Sequence, residues 1–276
     1  MNGQSSESGK PVWFGYQHIE PADAAANAHW WTASAVEYLG DHGDFLGDAD
    51  FCWCPEGLRE SEAMLLGPLA QLRTKRVLEI GAGAAQCARW LHRQGVEVIA
   101  TDVSEGMLAQ AATLNDRTGI EVPLMRADAR TLPFSANEFD VVFTAFGALP
   151  FVPDAGAVHQ DVARVLRPGG RWAFSVPHPF KWPFPDDPGK PGLTAIRSYF
   201  DPTPYVERDA TNQTVYAEFH RTIGDYIREL SAAGFQVQDL IEPAWPADHR
   251  QIWGGWGPVR GELLPGTAIF ITALDP

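Results

Sequence analysis

Between residues 76 and 176 the apolar positions fall into short, β-branched runs separated by stretches of helical spacing. The runs are RVLEIG (76–81), VEVIATD (96–102), VPLMRAD (122–128), FDVVFTAF (139–146) and GGRWAFSV (169–176). Runs this continuous predict strands buried on both faces. Helical segments separate at least three of the pairs, and in SEGMLAQAATLNDRTG (104–119) Ser104 is placed to cap the first turn. This alternation predicts a parallel sheet with helices on both sides.

The flanks read differently. Residues 1–10 are polar and are expected to form a disordered tail. Residues 11–74 are expected to form an N-terminal helical cap. Its first helix, PADAAANAHWWTASAVEYLG, begins at Pro21 and stops at Gly40, and its second lies in PEGLRESEAMLLG (55–67). The rhythm breaks again after residue 176. A segment rich in proline and aromatic residues (177–218) leads into a helix that Thr222 and Asp225 open as a capping box. Two strands follow, FQVQDLIEP (235–243) and GTAIFITALD (266–275), with a long interruption between them. The main domain is therefore expected to span residues 75–276.

Composition narrows the function classes. With 45% hydrophobic residues in 276, the chain can bury a substantial core. Its net charge of −14 is scattered, which suits a hydrated surface and not the clustered Lys and Arg that grip phosphate backbones. Cys52, Cys54 and Cys87 form neither a disulfide framework nor a zinc set and read as free thiols. The first ten residues lack the apolar core of a signal peptide, and no apolar run reaches membrane-spanning length. A cytoplasmic protein is expected, with no membrane partner and no pattern that fixes an oligomeric state.

The first strand runs into a glycine turn, VLEIGAGAAQCARW (77–90). In an open α/β sheet ligands sit beyond the C-terminal strand ends, where this turn lies. Gly81 and Gly83 allow backbone to approach a ligand closely. Gln86 stands where a dinucleotide fingerprint carries its third glycine. Glu79, just inside the strand end, suits a cationic or hydroxylated ligand and repels a pyrophosphate. Asp102 ends the second strand, 21 residues after Gly81, where an acid can accept both ribose hydroxyls. Asp128 ends the third, and its carboxylate can accept from an exocyclic amine while the Ala129 N–H donates to a ring nitrogen. The plainer alternatives are a turn or helix-capping role for Glu79, a cap for Asp102 and a turn acid at Asp128. Asp140, at the start of a strand, is structural.

In order and spacing these motifs, with FDVVFTAFGALPFV and LRPGGRWAFSV after them, resemble the class I S-adenosylmethionine-dependent methyltransferases across about residues 56–276. The resemblance implies a Rossmann-like, seven-stranded, mostly parallel α/β sheet with an antiparallel last strand. It also implies N-terminal helices and a lid insertion after strand 5. Glu79, Gly81 and Gly83 would surround the methionine part of S-adenosylmethionine, Asp102 the ribose, and Asp128 with Ala129 the adenine. Ala82, Val103 and Thr144 would complete the cofactor site. Ala85 stands where the family often has another glycine, a change expected to cost little. The physics agrees, because this cofactor carries a sulfonium and an ammonium but no phosphate.

The same topology would place 177–218 and 244–266 as lids on the substrate side. Eight of the ten tryptophans, all but Trp90 and Trp172, fall in these outer zones, which implies an enclosed, largely apolar pocket for a small, partly apolar or aromatic metabolite. SVPHPFKW, SYFDPTPYVE and WGGWGPVRGELLPGTAIF resemble a bacterial subgroup of these enzymes. The methyl would pass to an oxygen, nitrogen or carbon, and an oxygen acceptor would want a base. His178, just after strand 5, is the first candidate, followed by His220 and His29. Asp186 and Asp187 lack supporting acids, so no metal is expected. AFGALP replaces a base-flipping motif after strand 4 and, with the acidic charge, argues against nucleic acid. Two alternatives stand beside methyl transfer: a methyltransferase fold that binds the cofactor without catalysis, and an NAD-type oxidoreductase.

Overall fold

The structure, a computed structural model, describes residues 10–19 and 25–276. Along the chain come β1 (Pro11–Tyr16), α1 (Ala26–Leu46), the single-turn helices α2 (Glu60–Ala63) and α3 (Leu69–Leu72), β2 (Arg76–Ile80), α4 (Gln86–Arg93), β3 (Glu97–Asp102) and α5 (Glu105–Thr118). Then follow β4 (Leu124–Arg126), β5 (Phe139–Thr144), α6 (Ala155–Val165), β6 (Leu166–Pro177), β7 (Tyr205–Asp209), β8 (Thr214–Glu218), α7 (Ile223–Ala232), β9 (Phe235–Ile241), α8 (Pro258–Gly261) and β10 (Thr267–Leu274).

Seven strands form one sheet in the order β4-β3-β2-β5-β6-β10-β9. The β4-β3-β2-β5-β6 pairs are parallel, and β10 runs antiparallel to both β6 and β9. The strand order reverses between β2 and β5, so the glycine turn after β2 opens at the switch point, where such sheets hold ligands. Alternating side chains divide the sheet between two cores. Val77, Val141, Phe143, Ala173, Ile269 and Ile271 face one way, against α4 and the 51–72 segment. Leu78, Ile80, Val142, Trp172, Phe174 and Phe270 face the other, against α6 and α7. The expected caps form: the Ser104 hydroxyl accepts from the Met107 N–H, and Thr222 and Asp225 make a reciprocal capping box.

Three features depart from the sequence reading. First, α1 runs through Gly40 and Gly43 and ends at Leu46, where Gly47, at φ 71°, closes the last turn on the Gly43 carbonyl. Glycines inside a helix cost about 1 kcal/mol each, and the contacts of Tyr38, His42 and Phe45, on either side of Gly40, with Trp253 offset that. The expected start at Pro21 and the tail at 1–9 lie outside the described residues. Second, the helix expected over 55–67 shrinks to one turn. The buried Glu60 carboxylate instead accepts from the Trp53 indole at 2.8 Å and from the Leu65 and Leu66 N–H groups at 2.9 and 2.8 Å, which curls the chain back. Third, β1 is a strand, not part of a helical cap. It pairs with β7, which pairs in turn with β8, in a separate antiparallel sheet, order β1-β7-β8, so β1 and the insertion after β6 build one roof.

Asn27 fastens α1 to this roof. Its side-chain amide donates to the Phe151 and Ala217 carbonyls at 2.8 Å each and accepts from the Ala217 N–H at 2.9 Å. On its other side α1 rests on α5, where a Cβ at Gly106 would overlap the Thr32 carbonyl. Gly106→Ala should therefore push the two helices apart and cost about 1–3 kcal/mol of stability, read by denaturant unfolding. Unchanged stability would show that α1 does not seat on α5.

Candidate active site

Beneath the roof, the C-terminal ends of β2, β3 and β4 open into a cavity of about 1210 Å³. Its floor is the turn after β2. Gly81 and Gly83 are left-handed, at φ 59° and 55°, and a Cβ at Gly83 would meet nothing within 4 Å. A Cβ at Gly81 would come within 2.9 Å of the Ala148 nitrogen, so the loop after β5 lies directly on the turn. Of six non-glycine residues with positive φ among the described residues, three (Ala85, Phe146 and Ala148) surround this point. Left-handed strain of this kind gathers where a site over-determines the backbone.

Three carboxylates face the cavity from successive strand ends. Glu79 is buried and accepts from the Ala88 N–H in the first turn of α4 at 2.9 Å. Burial pushes its carboxyl up to about 8. Asp102 accepts from Gly83 N–H and Ser104 N–H, each at 2.8 Å, one on each oxygen. Burial raises its pKa as well, against those two bonds. Both acids therefore do capping or turn work while lining the cavity, and each retains lone pairs for a ligand. Asp128 is held by the Arg130 side chain, Nη2 to Oδ2 at 2.6 Å, and this hydrogen bond lowers its pKa. Ala82, Val103 and Ala129 line the cavity beside them.

Other expected residues lie elsewhere. Thr144 is buried at the end of β5 and does not line the cavity; the next four residues, 145–148, do. None of the three candidate histidines borders it. Pro177, the last residue of β6, lines the cavity, whereas His178 lies beyond the strand, where it opens the short turn 179–181. His178 Nε2 bonds Glu242 at 2.8 Å and Nδ1 accepts from the Phe180 N–H at 3.0 Å, which occupies the whole ring. His220 donates to the Tyr199 carbonyl at 2.6 Å and stacks on Trp182, and burial lowers its pKa to about 4. Both line a separate small cleft. His29 is exposed on α1. These positions argue against the histidines as bases and give them structural roles.

Residues 177–218 were expected as a lid on the substrate side, but the sheet they form with β1 was not. Phe14 and Tyr16 of β1, Tyr205 and Glu207 of β7, and Tyr216 and Glu218 of β8 share its inner face and line the cavity. The signal was present as Tyr-Val-Glu at 205–207 and Tyr-Ala-Glu at 216–218, two matching alternations whose middle residues are buried on the opposite face. The side wall was expected only in outline. Trp253, from the loop after β9, stacks on Phe146 at 5.3 Å and on His42 of α1 at 3.8 Å, so the loop is clasped over the turn.

At Ala85 the chain has room for the methyl but the backbone is left-handed, at φ 58°. Alanine there costs about 1–2 kcal/mol relative to an unstrained backbone, partly repaid by a stiffer unfolded chain. The substitution is thus less neutral than the sequence suggested. Ala85→Gly should raise stability by up to about 1 kcal/mol in thermal or urea unfolding, and a lower stability would contradict the strain.

Comparison with known proteins agrees with this geometry. Residues 77–170 match the family of methyltransferase domains. The chain is 38% identical over 218 residues to a demethylmenaquinone methyltransferase of Mycobacterium bovis, covering 76% of each chain. An uncharacterized protein of Mycobacterium tuberculosis shares 35% identity over 95 residues, so this chain spans only 34% of that relative's length. A solved S-adenosylmethionine-dependent methyltransferase from Mesorhizobium loti superposes with a TM-score of 0.58 at 26% identity, covering 76% of this chain and 99% of that one. The chain belongs to the class I S-adenosylmethionine-dependent methyltransferases, with S-adenosylmethionine as its cofactor.

Proposed function

We propose that the protein transfers the methyl group of S-adenosylmethionine to a small, partly aromatic metabolite. The observation that carries this reading is the row of carboxylates, Glu79, Asp102 and Asp128, on adjoining strand ends beneath an aromatic-walled cavity. Asp102 would take the ribose hydroxyls on its remaining lone pairs. Asp128 and the Ala129 N–H would read the adenine edge, and Glu79 would face the cationic methionyl end. The relative named for demethylmenaquinone is in keeping with a small-molecule acceptor. The acidic lining disfavours nucleic acid, and among the described residues no helix is long and apolar enough to cross a membrane.

Methyl transfer is an in-line displacement: the acceptor's lone pair forms the new bond to carbon while the carbon–sulfur bond breaks and its electrons return to sulfur. Positive charge disperses along that line, so the protein contributes mainly alignment and the exclusion of water. The clasped Trp253 and the roof sheet serve both ends. The proton lost by the acceptor would go to a cavity carboxylate or to water, since no histidine borders the cavity among the described residues.

Two outcomes test the cofactor cradle. Asp102→Asn keeps the size but replaces an ionic acceptor, and should weaken S-adenosylmethionine binding about ten-fold or more by calorimetry; equal affinity would reject the ribose assignment. Burial pushes the Glu79 carboxyl up to about 8, which favours its protonated form at neutral pH. A cationic ligand favours its ionised form, so binding should release a proton at neutral pH and tighten as pH rises towards 8. Calorimetry in buffers of different ionisation enthalpy reads that proton, and its absence would separate Glu79 from the cofactor's charge.

A further inference from the structure

The inner face of the roof is a checkerboard. Tyr205 stands opposite Glu218 and Glu207 opposite Tyr216, so two phenols and two carboxylates alternate across the β7–β8 pair. All four face the cavity. Taken as a whole, the cavity is lined by seven carboxylate side chains against three cationic ones, Arg130, Lys181 and Arg260.

Most of these acids have a partner or a role. Asp128 is held by Arg130 at 2.6 Å, Glu218 by Lys181 at 3.0 Å and Asp50 by Arg59 at 3.1 Å. Asp186 accepts from the Gly255 N–H and lies in the field of Arg260. Glu79 and Asp102 belong to the cofactor end. Glu207 is left. Its hydrogen-bond partner is the Tyr205 hydroxyl at 3.1 Å, and among the described residues no cation lies within ion-pair distance of it. Burial raises its pKa. A half-buried carboxylate with no cation is costly unless a ligand supplies one.

The neighbours of Glu207 suit that ligand. Tyr216, directly across the pair, lines the cavity, and the rings of Trp30, Phe151 and Tyr205 gather around it at 4.9, 5.8 and 6.3 Å. The hydroxyls of Tyr16 and Tyr216 make no hydrogen bond to protein among the described residues. A carboxylate beside an aromatic face is the combination that holds an ammonium, by an ionic hydrogen bond and a cation–π contact.

Resting on the methyltransferase reading above, we infer that the acceptor carries a basic amine. The amine docks between Glu207 and the face of Tyr216, leaving the aromatic body of the acceptor in the cavity below. Glu207 is then a specificity-determining residue that selects a cationic acceptor over an anionic one of the same shape.

The test uses two probes with one ring system and opposite charges. Full-length protein saturated with S-adenosylhomocysteine is titrated with tryptamine and with indole-3-acetate at neutral pH. Tryptamine should bind about ten-fold or more tightly than the acid. Glu207→Gln should abolish that preference and leave S-adenosylhomocysteine affinity unchanged. If the Gln variant fails to fold, Tyr216→Leu removes the ring face instead and should weaken tryptamine several-fold without affecting the acid. Equal affinities, a preference for the acid, no tryptamine binding, or a preference that survives in the variant would each overturn the inference. Failure of S-adenosylhomocysteine to bind in the first step would instead overturn the methyltransferase reading on which it rests.

Discussion

The site depends on the way Asp102 spends its carboxylate. One oxygen takes the N–H of Gly83 in the turn after β2, and the other takes the N–H of Ser104, which caps α5. A single buried acid thus locks the turn to the neighbouring strand and to the helix that follows it. Both bonds are backbone bonds to an anion in a dry setting, where they are strong. The geometry they fix leaves the remaining lone pairs directed at the cavity. The left-handed glycines below and the strained Phe146 and Ala148 above are consequences of holding two loops this close.

Around that point the molecule divides its tasks between two sheets. The central strands of the seven-stranded sheet are buried on both faces, and its strand ends supply the carboxylates that line the cavity floor. The three-stranded roof is made from the two parts of the chain that interrupt or precede the α/β rhythm, and it supplies aromatic surface with acids interleaved. Asn27 couples them, because its one side chain bonds the roof at Ala217 and the post-β5 loop at Phe151. Movement of α1 would therefore be felt at both the roof and the glycine turn.

How much of this can be read from sequence follows from the range of the interactions. The central parallel strands were legible because burial on both faces leaves continuous apolar runs, and the caps at Ser104 and Thr222 because capping is local. Glu79, Asp102 and Asp128 were legible because strand ends in such a fold converge. The lid over 177–218 was legible, but its sheet was not, since β1 pairs with β7 across nearly two hundred residues and no local pattern records that partner. The histidines failed for a smaller reason. Proximity to a strand end does not say where the chain turns next, and His178 opens the turn after β6 with both ring nitrogens taken by Phe180 and Glu242. Gly40 misled because the packing of Tyr38, His42 and Phe45 on Trp253 outweighs a weak local preference.

The central claim is that the carboxylate row cradles an adenosyl sulfonium. The most direct measurement is a diffraction structure of crystals grown with S-adenosylhomocysteine. The account predicts ribose hydroxyls on the Asp102 carboxylate, the adenine amine on Asp128 and the homocysteine end over Gly81 and Gly83. An empty cradle at saturating ligand, or the nucleoside bound in a different place, would contradict it.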